Sequence, residues 1–156
     1  MKFTPGQVKE ILSISQDTFR HWKNTFAPMA GRNGYTPCFS SGDLLTMAVI
    51  KTLTEEVGIR VGELRGIGGT LFEHCSQPWA GLERTVLLID PLKARVTPSP
   101  EGQAITMDGL TIAVPLRSIV AGLREHLLLE QPEASQEPLR FPPTAIGGRG
   151  RRGEAQ

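Results

Sequence analysis

The spacing of apolar side chains changes once along this chain, and that change constrains the fold more than any other feature. From residue 4 to about 76 they recur at three- and four-residue intervals, the period of a helix. From about 84 to 114 they follow the strand period. A helical signature returns after Pro115, where Leu116, Ile119, Val120, Leu123 and Leu127 share one face. The expected class is α+β, a mainly helical N-terminal part followed by a small antiparallel β-sheet plus one helix.

The helical half divides at its caps. Thr4-Pro5 opens a short helix with Val8, Ile11 and Leu12 on one face, and Ser13-Ile14-Ser15 is a tight turn. Ser15 is a natural N-cap for a second helix, with Asp17 in its first turn, where the helix dipole favours an anion. Phe19, Trp22 and Phe26 form the buried stripe of that helix, and Gln16, Thr18, Arg20, His21, Lys23 and Asn24 lie opposite. A helix whose free face is basic and amide-bearing suits the major groove of DNA. Asn33-Gly34 then signals a hairpin, because both residues accept positive φ. Ser41 and Asp43 start a third helix that ends at Gly58, and a fourth begins near residues 61–64, weakened by Gly66, Gly68 and Gly69. In the strand-patterned region the candidates are residues 84–90, 92–98, 103–107 and 110–114, with Asp108-Gly109 as a tight turn between the last two.

Charge is balanced overall, 17 Lys+Arg against 16 Asp+Glu, so neither a uniformly basic coat nor an acidic disordered chain is possible. The distribution is uneven. Residues 1–40 carry five basic and two acidic side chains, a net of +3, whereas residues 41–130 carry eight and eleven, a net of −3. Polyanion binding, if present, belongs at the N-terminal end. Residues 131–156 contain four Pro and four Gly, a composition expected to leave a disordered tail. The Gly148–Gly153 stretch GRGRRG in it is either a nucleic-acid contact or a solvated terminus.

The order of these elements resembles the MerR family of winged helix-turn-helix regulators. The chain reads FTPGQVKEILSISQDTFRHWK over residues 3–23, and Gly6, Val8, Ser15, Thr18, Arg20 and Trp22 fall on the family pattern without a gap. NGYT at 33–36 and SSGDL at 40–44 resemble the wing and the start of the next helix, and GIRVGEL at 58–64 echoes a further segment. Thr36 stands at the usual wing arginine, His21 replaces a tyrosine and Lys23 a glutamate. The resemblance covers about residues 3–76. It implies a winged helix-turn-helix DNA-binding domain over 1–76, while periodicity gives a small α+β dimerisation or interaction unit over 79–130 and composition gives the tail over 131–156. It implies double-stranded DNA as partner and a sequence-specific transcriptional regulator acting as a dimer at a promoter. An architectural DNA factor of a phage or mobile element, for excision or packaging, and a protein-interaction module are the alternatives.

The DNA-binding candidates are Thr4, Ser15, Gln16, Thr18, Arg20, His21, Lys23, Arg32, Asn33 and Tyr35. Arg20, Lys23, Arg32 and the helix N-termini would hold phosphates, while Gln16, Thr18, Arg20 and His21 would read base edges. The long pairing helix of the family has no counterpart here, because glycines 66, 68 and 69 and the later strands forbid it. The dimer contact is therefore expected on the last helix, at Leu116, Ile119, Leu123, Leu127 and Leu128, where three consecutive leucines at 127–129 span more than one face. No cofactor, metal site or small-molecule pocket is expected. His74 and Cys75 are adjacent and point about 100° apart on a helix, and Cys38 reads as an apolar filler. Phosphate-loop, nucleophile-elbow and metalloprotease motifs are missing, so the chain is not expected to be an enzyme. With two well-separated cysteines, no signal-peptide pattern and no membrane-length apolar run, the expected location is the cytoplasm, on the nucleoid.

Overall fold

A computed structural model describes residues 1–130, and the side chains of residues 1–128. The 131–156 tail therefore lies outside the described residues. A two-residue strand β1 (Lys2–Phe3) leads into α1 (Pro5–Leu12), α2 (Gln16–Thr25), a 3-10 turn at Ala27–Met29, β2 (Phe39–Ser40) and α3 (Ser41–Glu55). A second 3-10 turn at Val61–Leu64 runs into α4 (Arg65–His74) and α5 (Trp79–Leu82). Strands β3 (Thr85–Asp90), β4 (Arg95–Pro100) and β5 (Ile112–Pro115) follow, and α6 (Leu116–Glu130) closes the described chain. The fold is mixed α+β, with six helices and two small antiparallel sheets among the described residues.

Caps set the helix boundaries. Thr4 and Gln7 form a reciprocal capping box at α1, as Ser40 and Asp43 do at α3, and the Ser15 hydroxyl accepts the Thr18 N–H at α2. The third cap is Ser40 and not Ser41, since only Ser40 stands three residues ahead of Asp43. At the end of α1, Ser13 adopts left-handed backbone (φ 52°), and the Ile14 N–H closes the turn on the Lys9 carbonyl at 3.0 Å. The Leu12 carbonyl at the end of α1 accepts a hydrogen bond from Lys51 Nζ at 2.6 Å.

The core is continuous from Phe3 to Leu123. Trp22, Phe26, Met29 and Phe39 are fully buried, and Phe19 meets Phe39 edge-to-face with centroids 5.8 Å apart. Leu87, Ile89, Val114, Leu116 and Val120 belong to the same cluster, so α6 packs on α1 and α3 as well as on the sheet. Two glycines permit this density. A Cβ at Gly68 would stand 2.5 Å from Phe26 Cδ1, and one at Gly42 would stand 2.6 Å from the Cys75 carbonyl oxygen. Gly68 thus tightens α4 against the aromatic core, where composition suggested only a weak helix.

Three expectations are corrected. The Asn33-Gly34 hairpin does not form. Gly34 has φ 97°, but Asn33 stays in the ordinary region and residues 30–38 contain no strand. Pro37 has no N–H for a ladder, and the neighbouring strand β2 pairs instead with β1, Phe3 opposite Phe39. The sheet has three strands and not four. Residues 103–107 form no strand, and Asp108-Gly109 joins no two strands. The order is β4-β3-β5, so β5 takes the free edge of β3, and the 101–111 segment must cross from one edge to the other. Finally, most of the proposed dimer surface faces inward. Leu116 and Leu123 are buried, Ile119 and Leu127 are half-buried against the core, and Leu128 alone of the five is exposed, at 71%. The two halves share one core, and α6 is used to join them. No described helix is long and apolar enough to cross a membrane.

Candidate nucleic-acid interface

The polar residues of α2 divide into two strips once the helix is wound. Gln16, Arg20 and Lys23 recur at i, i+4 and i+7 and share a face with the edge of Phe19. Asp17, His21 and Asn24 recur at the same intervals one position later, about 100° around the helix. The first strip borders a concavity of about 580 Å³, lined on the α1 side by Thr4, Pro5, Gly6 and Lys9. Arg32, Asn33, Gly34 and Tyr35 form its third wall.

Seven of the ten candidates, Thr4, Gln16, Arg20, Lys23, Arg32, Asn33 and Tyr35, therefore meet at one place. Ser15, Thr18 and His21 do not line it. Ser15 and Thr18 are engaged with each other, since the Ser15 Oγ also donates to Thr18 Oγ1 at 2.9 Å, and His21 lies on the second strip. Lys9 lines the concavity and was not among the candidates. Its cationic type and its place in the last turn of α1 were visible, but its neighbour was not. Its Nζ donates to Gln16 Oε1 at 2.5 Å and ties α1 to α2 across the turn.

The third wall is held by side chains in place of strands. Arg32 donates to Asp43 Oδ2 at 2.5 Å and to the Cys38 carbonyl at 3.4 Å, and its guanidinium lies 5.4 Å from the Phe39 ring centroid. Asp43 completes the capping box of α3 by accepting the Ser40 N–H, so one carboxylate fixes both the helix start and the loop. Lys23 Nζ donates to Asn33 Oδ1, which fastens the loop tip to α2. Tyr35 beyond it is fully exposed.

This wiring decides the electrostatics. Lys9 and Lys23 donate to neutral amides and keep their full charge, and Arg20 faces only the exposed Asp17 carboxylate at 3.6 Å. Arg32 alone is paired closely with an acid. Four cations and no carboxylate line the concavity. The N-terminal turn of α1 also opens on it, adding the positive end of a helix dipole. The concavity therefore carries a net positive charge.

Two other features need placing. Cys75 is buried, and burial pushes its thiol up to about 11 against the opposing hydrogen bond from the Thr46 side chain. It is a protonated core residue at neutral pH. No group of three or more His, Cys, Asp or Glu capable of holding a metal exists among the described residues. A second depression of about 510 Å³ opens between the C-terminal turns of α1 and α3 on one side and β5 with α6 on the other. It forms between the two halves and not within residues 79–130, where no pocket is expected from sequence. No protein-family model, curated protein or solved structure matches this chain.

Proposed function

We propose that the protein binds double-stranded DNA sequence-specifically through α2 and acts as a transcriptional regulator of the MerR-like type. In this reading α1, the Ser13 turn and α2 work as a helix-turn-helix, and residues 31–38 serve as its wing. The observation that carries it is the carboxylate-free concavity bearing Lys9, Arg20, Lys23 and Arg32 between helix and loop. Gln16 and Arg20 would read base edges, and Lys9, Lys23 and the Thr4–Gly6 turn would receive phosphates. Tyr35 at the loop tip would reach the sugar-phosphate backbone. Nothing in the concavity pairs a nucleophile with a base, and what its residues offer is positioning and charge.

One module of this size buries little DNA surface, so a second copy reading an inverted repeat belongs to the proposal. With the inner leucines of α6 occupied, that copy would meet Leu128 and the exposed Met107 and Leu110 of the 101–111 segment. Binding-site selection from a random duplex pool, followed by titration of the selected site, tests the reading. Arg20→Ala is expected to lose specific binding by about 1–3 kcal/mol. Lys23→Ala is expected to weaken all sequences alike and to flatten the salt dependence by about one unit. Selection that yields no sequence, or an Arg20→Ala protein that binds like wild type, overturns it.

A further inference from the structure

The 510 Å³ groove has the features of a site for an extended peptide. Among the described residues the strand order β4-β3-β5 leaves one edge of β5 unpaired, and all four β5 residues line the groove. An unpaired edge beside an apolar floor accepts a further strand. The floor is supplied by Ile11, Leu12, Ile119 and Leu123, and Val57 stands half-exposed at the rim.

The charge of the rim selects what can lie there. Glu55 and Glu56 sit at the C-terminal end of α3, where the helix dipole is already negative. The only lysine in the lining, Lys51, is engaged by Glu55 and by the Leu12 carbonyl. Glu56 has no ion pair among the described residues. An occupant should therefore be apolar where it meets the floor and cationic where it meets the rim.

The chain itself carries such a segment. Residues 139–152 contain four arginines and no acid. Leu139 and Phe141 are two apart, so in an extended backbone they share a face while Arg140 takes the other. Pro142 restricts Phe141 to extended conformations, and Pro142 and Pro143, having no N–H, would end a ladder there. Reach is sufficient. His126 in the lining is one helical turn before Glu130, about 6 Å of rise, and the nine residues from Glu130 to Leu139 can span about 30 Å.

We propose that residues 139–152 occupy this groove in the same chain. Leu139 and Phe141 rest on the apolar floor, their backbone pairs with the edge of β5, and the arginines meet Glu55 and Glu56. The proposal does not rest on DNA binding, since among the described residues no part of β5 or α6 lines the basic concavity.

Hydrogen–deuterium exchange on the full chain tests it. Amides of residues 139–141 and of β5 should exchange about tenfold or more slowly than in two variants. The first is Gly122→Leu, which fills the groove. A Cβ there meets nothing within 4 Å, and replacing a helical glycine favours the helix, so its melting temperature should not fall. The second, Phe141→Asp, removes the anchor from the other side. Added salt should reduce the protection in wild type. Free-peptide exchange of residues 139–141 in wild type overturns the proposal, as does protection that survives both variants. Protection that disappears on dilution, as light scattering shows a dimer separating, assigns the groove to a second copy's segment and overturns occupancy within one chain.

Discussion

The two depressions are nearly equal in volume, about 580 and 510 Å³, and opposite in chemistry. Helix α1 belongs to both. Its first turn, Thr4 to Gly6, opens on the basic concavity, and its last residues, Ile11 and Leu12, reach the floor of the groove. The positive end of its dipole thus opens on the concavity that holds the four cations, while α3 presents its negative end beside Glu55 and Glu56. The difference between them lies in how charge is kept. In the first, lysines donate to Gln16 and Asn33 amides, so the side chains are positioned without being neutralised. In the second, Lys51 is engaged by Glu55 and the Leu12 carbonyl, and Glu56 is left without an ion pair among the described residues. Volume alone says nothing about ligand class. The partners already satisfied within the protein say which charge remains to bind.

The largest effect that separates the two sites is reversal of the central cation. Arg20→Glu should lower affinity for a selected DNA site at least about a hundredfold, because lost base contacts add to like-charge repulsion from phosphate. Exchange at β5 should be unchanged in the same protein. Anisotropy titration and exchange mass spectrometry on one preparation check both halves, and a parallel change at β5 would mean that the sites are not independent.

A second effect tests the core between them. Cys75 packs beneath Gly42 of α3, the helix whose start holds the loop wall and whose end borders the groove. Its thiol pKa is raised from an ordinary 9.0 to about 11, so the neutral form is favoured by folding. Below pH 9 both states are protonated and this contribution is whole. As pH rises toward 11 the unfolded chain ionises first, and stability falls by about 2–3 kcal/mol. Urea titrations from pH 8 to 11 should show this loss in wild type and not in Cys75→Ala.

The helices and their caps were legible in the sequence because they depend on residues three or four apart. Thr4 with Gln7 and Ser15 with Thr18 are local devices, and so is Ser40 with Asp43, although the sequence pattern pointed one residue late, to Ser41. The stripe of Phe19, Trp22 and Phe26 was legible for the same reason, and it placed Arg20 and Lys23 opposite the core. What escaped is non-local. Asn33 and Gly34 suit a hairpin turn in isolation, but the N–H and C=O groups of β2 are claimed by β1 some 35 residues earlier. Residues 103–107 have strand composition and find no partner, because β5 occupies the edge they would need. Lys9 could not be assigned to the site until the turn brought Gln16 to it. Trp79 begins an unforeseen short helix, held by its indole N–H donating to the Ser41 carbonyl at 3.1 Å.

Asp43 offers a smaller effect that bears on the basic concavity and spares the groove. Asp43→Ala removes half of the α3 capping box and leaves Arg32 without its carboxylate. Stability should fall by about 2 kcal/mol from the lost cap and hydrogen bonds. DNA affinity should drop further than the lost stability explains, because the loop bearing Asn33 and Tyr35 is released. Chemical denaturation and titration at a temperature where the variant is fully folded separate the two contributions. Unchanged affinity would show that the loop wall does not contact DNA.

The smallest effect gives the sharpest contrast, because the same chemical change should act with opposite sign at the two sites. Asp17 is the acid nearest the cations, 3.6 Å from Arg20, and both side chains are largely exposed. A pair of that kind contributes little to folding. Its carboxylate would nevertheless hold Arg20 back from phosphate and repel the backbone itself. Asp17→Asn should therefore raise DNA affinity about two- to fourfold at low salt, with the gain fading as salt screens the charge. Stability should fall slightly, since an acid is lost from the first turn of α2. Glu56→Gln makes the equivalent change at the groove, where the acid is the attractive group, and should instead weaken protection of residues 139–141. Titration of the first variant and exchange of the second would have to move the same way to erase the distinction between a site that keeps its cations and one that keeps its acids.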